Sequence, residues 1–170
     1  LDAEYFQPKY EKILEKVKQY KGAWGYLHDL VSIRDTNFYP QPRTRYRYIE
    51  LSNISNFGEV TGCTEARGAE LPSRARRRVK TGDVIVSSIE GSLSSSALIT
   101  EEYNNALCST GFYVINSNVF NAATLLCLMK SHIGLQQLER GCSGTILTAI
   151  NKSEFMNLAL PKDSSAVKCG

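Results

Sequence analysis

No Cys-x-x-Cys pair occurs in this 170-residue sequence, and its five cysteines (Cys63, Cys108, Cys127, Cys142 and Cys169) are odd in number and irregularly spaced. That pattern predicts neither a disulfide framework nor a zinc site, and it fits a reducing cytoplasm. Histidines number two, His28 and His132, far apart and away from any carboxylate cluster. Neither is expected to ligate a metal or act as a catalytic base. No run approaches the roughly 20 apolar residues of a membrane span, and no secretory signal is visible, so no membrane partner is expected. Catalytic signatures are missing too: there is no Gly-x-Ser-x-Gly elbow, no His-Glu-x-x-His, and no Asn-Pro-Pro-Tyr or Asp-Pro-Pro-Tyr. Asp83 and Glu90 flank one apolar run, but no lysine accompanies Glu90 as a metal-dependent nuclease would need. Gly141-x-x-Gly144-Thr145 lacks the lysine of a phosphate-binding loop. The chain is therefore expected to be non-catalytic and to use no cofactor.

Net charge is also scarce, at +3, so any basicity must be local. It is local. Arg43, Arg45, Arg47, Arg67, Arg74, Arg76, Arg77, Arg78 and Lys80 lie between residues 43 and 80, opposed there only by Glu50, Glu59, Glu65 and Glu70. Acids gather in the first fifteen residues and at Glu101-Glu102. Such asymmetry predicts one positive face. Five of these cations fall between Arg74 and Lys80, immediately before Gly82-Asp83 and the apolar run Val84-Ile85-Val86. The run reads as a buried strand and Gly-Asp as its entry turn, so the cations are anchored beside a core element.

The remaining periodicities predict one α+β domain, a strand-rich twisted mixed sheet with helices near both ends. Residues 7–20 read as an amphipathic helix, with Pro8 in its first turn and Tyr10, Ile13, Leu14 and Val17 on one side. Residues 34–44 carry two prolines and read as a loop. Arg45 to Ile54 has a period of two, which sets Arg43, Arg45 and Arg47 on one face and turns Tyr46 and Tyr48 toward the core. Further strands are expected at 57–62, 84–89, 97–100, 106–108, 112–115 and 158–161. Helices are expected from Asn121 to Ser131, from Gly134 to Arg140, and from Asn151, as cap, to Asn157. Residues 1–22 form a lead-in, 23–161 the domain, and 162–170 a polar tail.

Planar guanidinium forks suit phosphate oxygens and guanine edges. Arg43, Arg45, Arg47, Arg74, Arg76, Arg77, Arg78 and Lys80 are thus the candidate contacts to double-stranded DNA, most of them to phosphate. Ser92, Ser94 and Ser95 in one small-residue loop, and Ser143 and Thr145 in another, offer hydroxyls and leave room for a DNA backbone. The competing readings are a solvated loop that only aids solubility, or a protein-interaction domain whose basic surface meets an acidic partner.

The order of motifs resembles a target recognition domain from the specificity subunit of type I restriction–modification enzymes. Four features carry the likeness. Leu1 to Tyr10 is similar to the family's lead-in, and Tyr48 to Ile54 to its early strand and turn. Val79 to Ser87 resembles the Gly-Asp strand entry; Gly141 to Thr145, Asn151 to Phe155 and Leu158 to Pro161 resemble the closing loop, helix and strand. The resemblance implies a DNA methylase specificity-domain fold and a module without catalysis of its own. Such a module reads one half of a bipartite site. It directs a partner adenine methyltransferase subunit and, through it, a restriction and translocase subunit. Subunits of this family carry two recognition domains held apart by long helices. This sequence holds one, so a second recognition domain or a second copy is the expected partner.

Overall fold

The computed structural model describes residues 24–142 and 148–162. The predicted helix over 7–20 and the polar tail beyond Lys162 lie outside the described residues. Val84-Ile85-Val86 is apolar without alternation because it is covered on both sides. It forms β6 (Val84–Ser87), paired antiparallel with β7 (Ser96–Leu98) and β9 (Phe112–Asn116), while β2 (Ser32–Ile33) completes the sheet order β2-β9-β6-β7. Val84, Val86 and Ile115 pack on one face against the helices, with Leu125, Leu128 and Phe155. Ile85, Ala97 and Val114 pack on the other face against Ile49, Val79 and Cys108.

Ile49 and Cys108 belong to a second four-stranded sheet, ordered β4-β3-β8-β5. Its strands are β3 (Arg45–Ile49), β4 (Thr64–Arg67), β5 (Ala75–Arg78) and β8 (Leu107–Ser109). β3 and β8 run parallel and the other neighbours antiparallel, which makes the sheet mixed. Its outer face carries Tyr48, Leu107 and Ala75, covered by Phe38, Tyr46 and Leu71. β5 is an edge strand. The α+β expectation holds, with the strands divided among three sheets; the third pairs β1 (Trp24–Tyr26) with β10 (Ala159–Pro161).

The helices fall close to the predicted spans. After the one-turn α1 (Leu27–Leu30) come α2 (Ala122–Lys130), α3 (His132–Cys142) and α4 (Lys152–Met156). Asn121 and Asn151 cap α2 and α4, each accepting at 2.8 Å from the amide three residues on. Such caps are worth about 1 kcal/mol. Asp83 is fully buried after the left-handed Gly82 (φ +89°), and its carboxylate accepts from the Lys80 amide at 2.8 Å and from Arg34 Nε at 2.9 Å. One cysteine departs from expectation: Cys127 is disulfide-bonded, whereas Cys63 and Cys108 are free thiols. An odd count with irregular spacing argues against a framework of bridges, but it does not forbid a single pair.

Candidate nucleic-acid interface

Arginine-rich β5 has no apolar alternation, and it is held as a strand by its neighbours. Ala75 pairs with Ser109, Arg77 with Cys108 and Arg78 with Leu107, so a bulge falls at Arg76. A bulge bends its strand and re-aims the side chains around it. Directly paired residues share a face. Arg78 therefore lies on the outer face with Leu107, and Arg77 on the inner face with Cys108. The predicted cationic run is not a single-faced row.

What unites it is the segment 34–44, which lies over the edge strand and is tied down along its length. Arg34 pairs with buried Asp83 at 2.9 Å, and Asp35 pairs with Lys152. That lysine, by hydrogen bond and charge, holds the Asp35 carboxyl below its ordinary value. Asn37 Oδ1 accepts from Arg77 Nη1, and the Phe38 amide donates to the Arg76 carbonyl at 2.8 Å. The Arg78 guanidinium sits 4.1 Å from the Phe38 ring centroid, and that of Arg76 sits 5.1 Å from the Tyr39 centroid. The Gln41 amide donates to the Tyr46 hydroxyl at 2.9 Å. The two prolines and polar residues of 34–44 predict a loop, which it is; the anchoring was not visible in them.

Two depressions meet at Arg78. One, of ≈ 390 Å³, is lined by Arg45, Tyr46, Arg47, Glu65, Arg78, Asn104 and Asn105 among others. The other, of ≈ 400 Å³, is lined by Ile33, Arg34, Thr36, Asn37, Phe38, Arg78 and Lys80. Arg78 Nε is buried and has no hydrogen-bond partner among the described residues. Arg47 donates to the Glu102 carbonyl, and Lys80 Nζ to Asn105 Oδ1. Asn105 takes the left-handed conformation (φ 67°), which asparagine tolerates better than most residues. Arg34, Asn37, Phe38, Tyr39, Asn104 and Asn105 are site residues that sequence reading missed. The signal that could have found Tyr39 and Phe38 is an aromatic pair in a proline-flanked loop between cationic segments.

The predicted residues are distributed as follows. Arg43 sits in the turn before β3, not on the strand, so it does not share the Arg45–Arg47 alternation. Tyr48 is buried and Tyr46 packs beside it, as expected. Arg45 stands opposite Arg67, and Arg47 opposite Glu65. Arg74 is exposed at the other end of β5, where its carbonyl accepts from the Thr110 amide at 2.9 Å. The serine loop starts close by, since Ser88 donates from both its amide and its hydroxyl to the Gly111 carbonyl, at 2.9 and 2.8 Å. Ser92 is less available than expected: its hydroxyl lies 2.8 Å from that of Ser87 and 3.1 Å from the Ile89 carbonyl. Ser94 is exposed and Ser95 half-buried. Ser143 and Thr145 lie outside the described residues, although Thr148, just beyond them, accepts from the Glu90 amide at 2.7 Å. Among the described residues, none of Arg43, Arg45, Arg47, Arg74, Arg76, Arg77, Arg78 or Lys80 is ion-paired with a carboxylate. Among the described residues, no group of three His, Cys, Asp or Glu is placed to hold a metal ion, and no helix is long and apolar enough to cross a membrane.

Solved structures share this fold. The HsdS subunit from Thermoanaerobacter tengcongensis superposes with a TM-score of 0.75 and 28% sequence identity over 86% of this chain and 40% of its own. A chain from a structure of type I R-M system assembly and conformational transition gives 0.71 and 28% over 82% of this chain and 37% of its own. This chain resembles a target recognition domain of a type I specificity subunit. It spans about two fifths of the length of the solved specificity-subunit chains it matches. No family model and no curated protein matches it.

Proposed function

We propose that this chain reads double-stranded DNA in a sequence-specific manner, as one target recognition domain, 23–161, of a type I restriction–modification specificity subunit. It directs a partner adenine methyltransferase subunit, and through it a restriction and translocase subunit, to one half of a bipartite site. A second recognition domain or a second copy of the chain reads the other half. The chain performs no chemistry itself; methyl transfer and cleavage reside in the partners.

The observation that carries this reading is a set of eight cations, none ion-paired with a carboxylate of the described residues, gathered around β3 and the edge strand β5. Guanidinium groups without an ion-pair partner attract phosphate oxygens and release the counterions condensed on DNA. Backbone contacts of this kind fix orientation, and only the few side chains that reach base edges specify sequence. The likeness to the HsdS subunit supports the same role.

The test is the salt dependence of binding to a 30-base-pair duplex of random sequence, followed by fluorescence anisotropy. Affinity should fall steeply and linearly on logarithmic axes. Arg43, Arg45 and Arg74 are exposed, so replacing all three with Ala should spare the fold and reduce the slope by about 2.7, at about 0.9 per phosphate contact. Binding that is indifferent to salt would instead favour a protein partner and overturn the proposal.

A further inference from the structure

The cations around β5 are not equivalent. Arg43, Arg45 and Arg74 are exposed, and no side-chain hydrogen bond or ring contact fixes them among the described residues. Flexible charges of that kind suit phosphates, which tolerate many approach angles. Arg47, Arg77 and Lys80 spend donors on Glu102, Asn37 and Asn105, and Arg78 lies against Phe38. They are committed to the scaffold.

Arg76 differs from both groups. Its backbone is pinned at the bulge, where its amide donates to the Arg74 carbonyl at 2.8 Å and its carbonyl accepts from the Phe38 amide at 2.8 Å. Its guanidinium lies over the Tyr39 ring, 5.1 Å from the centroid, and makes no hydrogen bond with the described residues. Tyr39 itself is 68% exposed and stands between Phe38 and Gln41, whose amides are both hydrogen-bonded to the sheet. The ring face holds the cation without consuming its N–H donors. The result is a planar fork oriented before binding, with its donors unspent.

Resting on the DNA-reading function proposed above, we infer that Arg76 is the base-reading cation of this domain, and that Tyr39 is a positioning residue that aims it. The fork would meet the O6 and N7 acceptors of a guanine in the major groove, the contact that paired N–H donors match best. Orienting it in advance removes side-chain entropy from the cost of binding.

The test is enrichment of bound sequences from a randomised 30-base-pair duplex pool, using the full chain and three variants whose urea unfolding is measured in parallel. Wild type should enrich a motif containing a guanine. Arg76→Lys keeps the charge but loses the fork. It should lose discrimination at that one position by about 5- to 150-fold, with other positions and the salt slope unchanged. Tyr39→Ala should weaken the same position, and Tyr39→Phe, which keeps the ring face, should preserve it. A motif unchanged in Arg76→Lys, or weakened equally at every position, overturns the role of Arg76 and leaves the DNA-reading function standing. Salt-dependent binding with no motif in the wild type removes sequence reading, and this inference with it.

Discussion

Gly68→Ala is the sharpest structural perturbation available, because it alters the candidate interface without touching a cation. Gly68 opens the short turn Gly68–Glu70 after β4. A methyl group there would sit 2.7 Å from the Gln41 carbonyl carbon, closer still to its oxygen, and 3.2 Å from the Pro40 carbonyl carbon. These are backbone atoms, so the 34–44 segment must move by about 1 Å to reach ordinary carbon contact distances. Two hydrogen bonds hold the segment there, from the Gly68 amide to Thr44 at 2.9 Å and from the Ala69 amide to Pro42 at 3.1 Å. At about 1 kcal/mol each, their loss should cost about 1–3 kcal/mol, or a fall of about 1 M in the urea midpoint. If the segment shifts without unfolding, the Phe38 and Tyr39 cation contacts loosen instead, and duplex affinity should fall about 2- to 5-fold. Gly62→Ala is the control, since its methyl meets only Asn53 Nδ2, at 3.6 Å. Urea titration and anisotropy on both variants decide the matter. Should Gly68→Ala match Gly62→Ala in midpoint and affinity alike, the segment does not set the geometry of the edge strand.

Three further outcomes follow from burial and charge. Burial pushes the Cys108 thiol up to about 12; at pH 8 it should stay unlabelled by a thiol reagent until the chain unfolds, and rapid labelling would contradict its place between the two sheets. The lowered Asp35 pKa means that its pairing with Lys152 stabilises the fold above pH 3.8, the unfolded value, and is lost as pH falls through the lower folded value. Asp35→Asn should therefore cost no more than about 1 kcal/mol at pH 7, both partners being partly exposed, with the gap to wild type closing in acid; a gap that widens in acid is the wrong sign. Asp83→Ala strands Arg34 and the Lys80 amide, and calorimetry should find it destabilised by about 1–3 kcal/mol.

The central strand and the helices of the core were legible in the sequence; the division into separate sheets was not. Val84-Ile85-Val86 announced a buried strand because its run admits no polar residue, and Gly82-Asp83 marked its start. Asn151 signalled helix entry because its side chain satisfies an amide that the first turn leaves open. β4 and β5 were not legible as strands. Thr64–Arg67 and Ala75–Arg78 carry no apolar alternation, and pairing with β3 and β8 overrides their weak local preference. The cations at the candidate interface were legible as a group, since charge asymmetry survives in one dimension. Their individual aims were not, because the bulge at Arg76, the ring of Tyr39 and the left-handed Asn105 depend on partners remote in sequence.

On the proposed function, segment 34–44 and the cations of β5 form one surface for duplex DNA. Amide hydrogen exchange with and without duplex is the decisive measurement. Protection should rise together over residues 34–44, 74–80 and 104–106 and stay unchanged in β1, β10 and α3. Protection confined to the opposing exposures around Phe57, 87% exposed, and Val119, with 34–44 and 74–80 unaffected, would contradict the account.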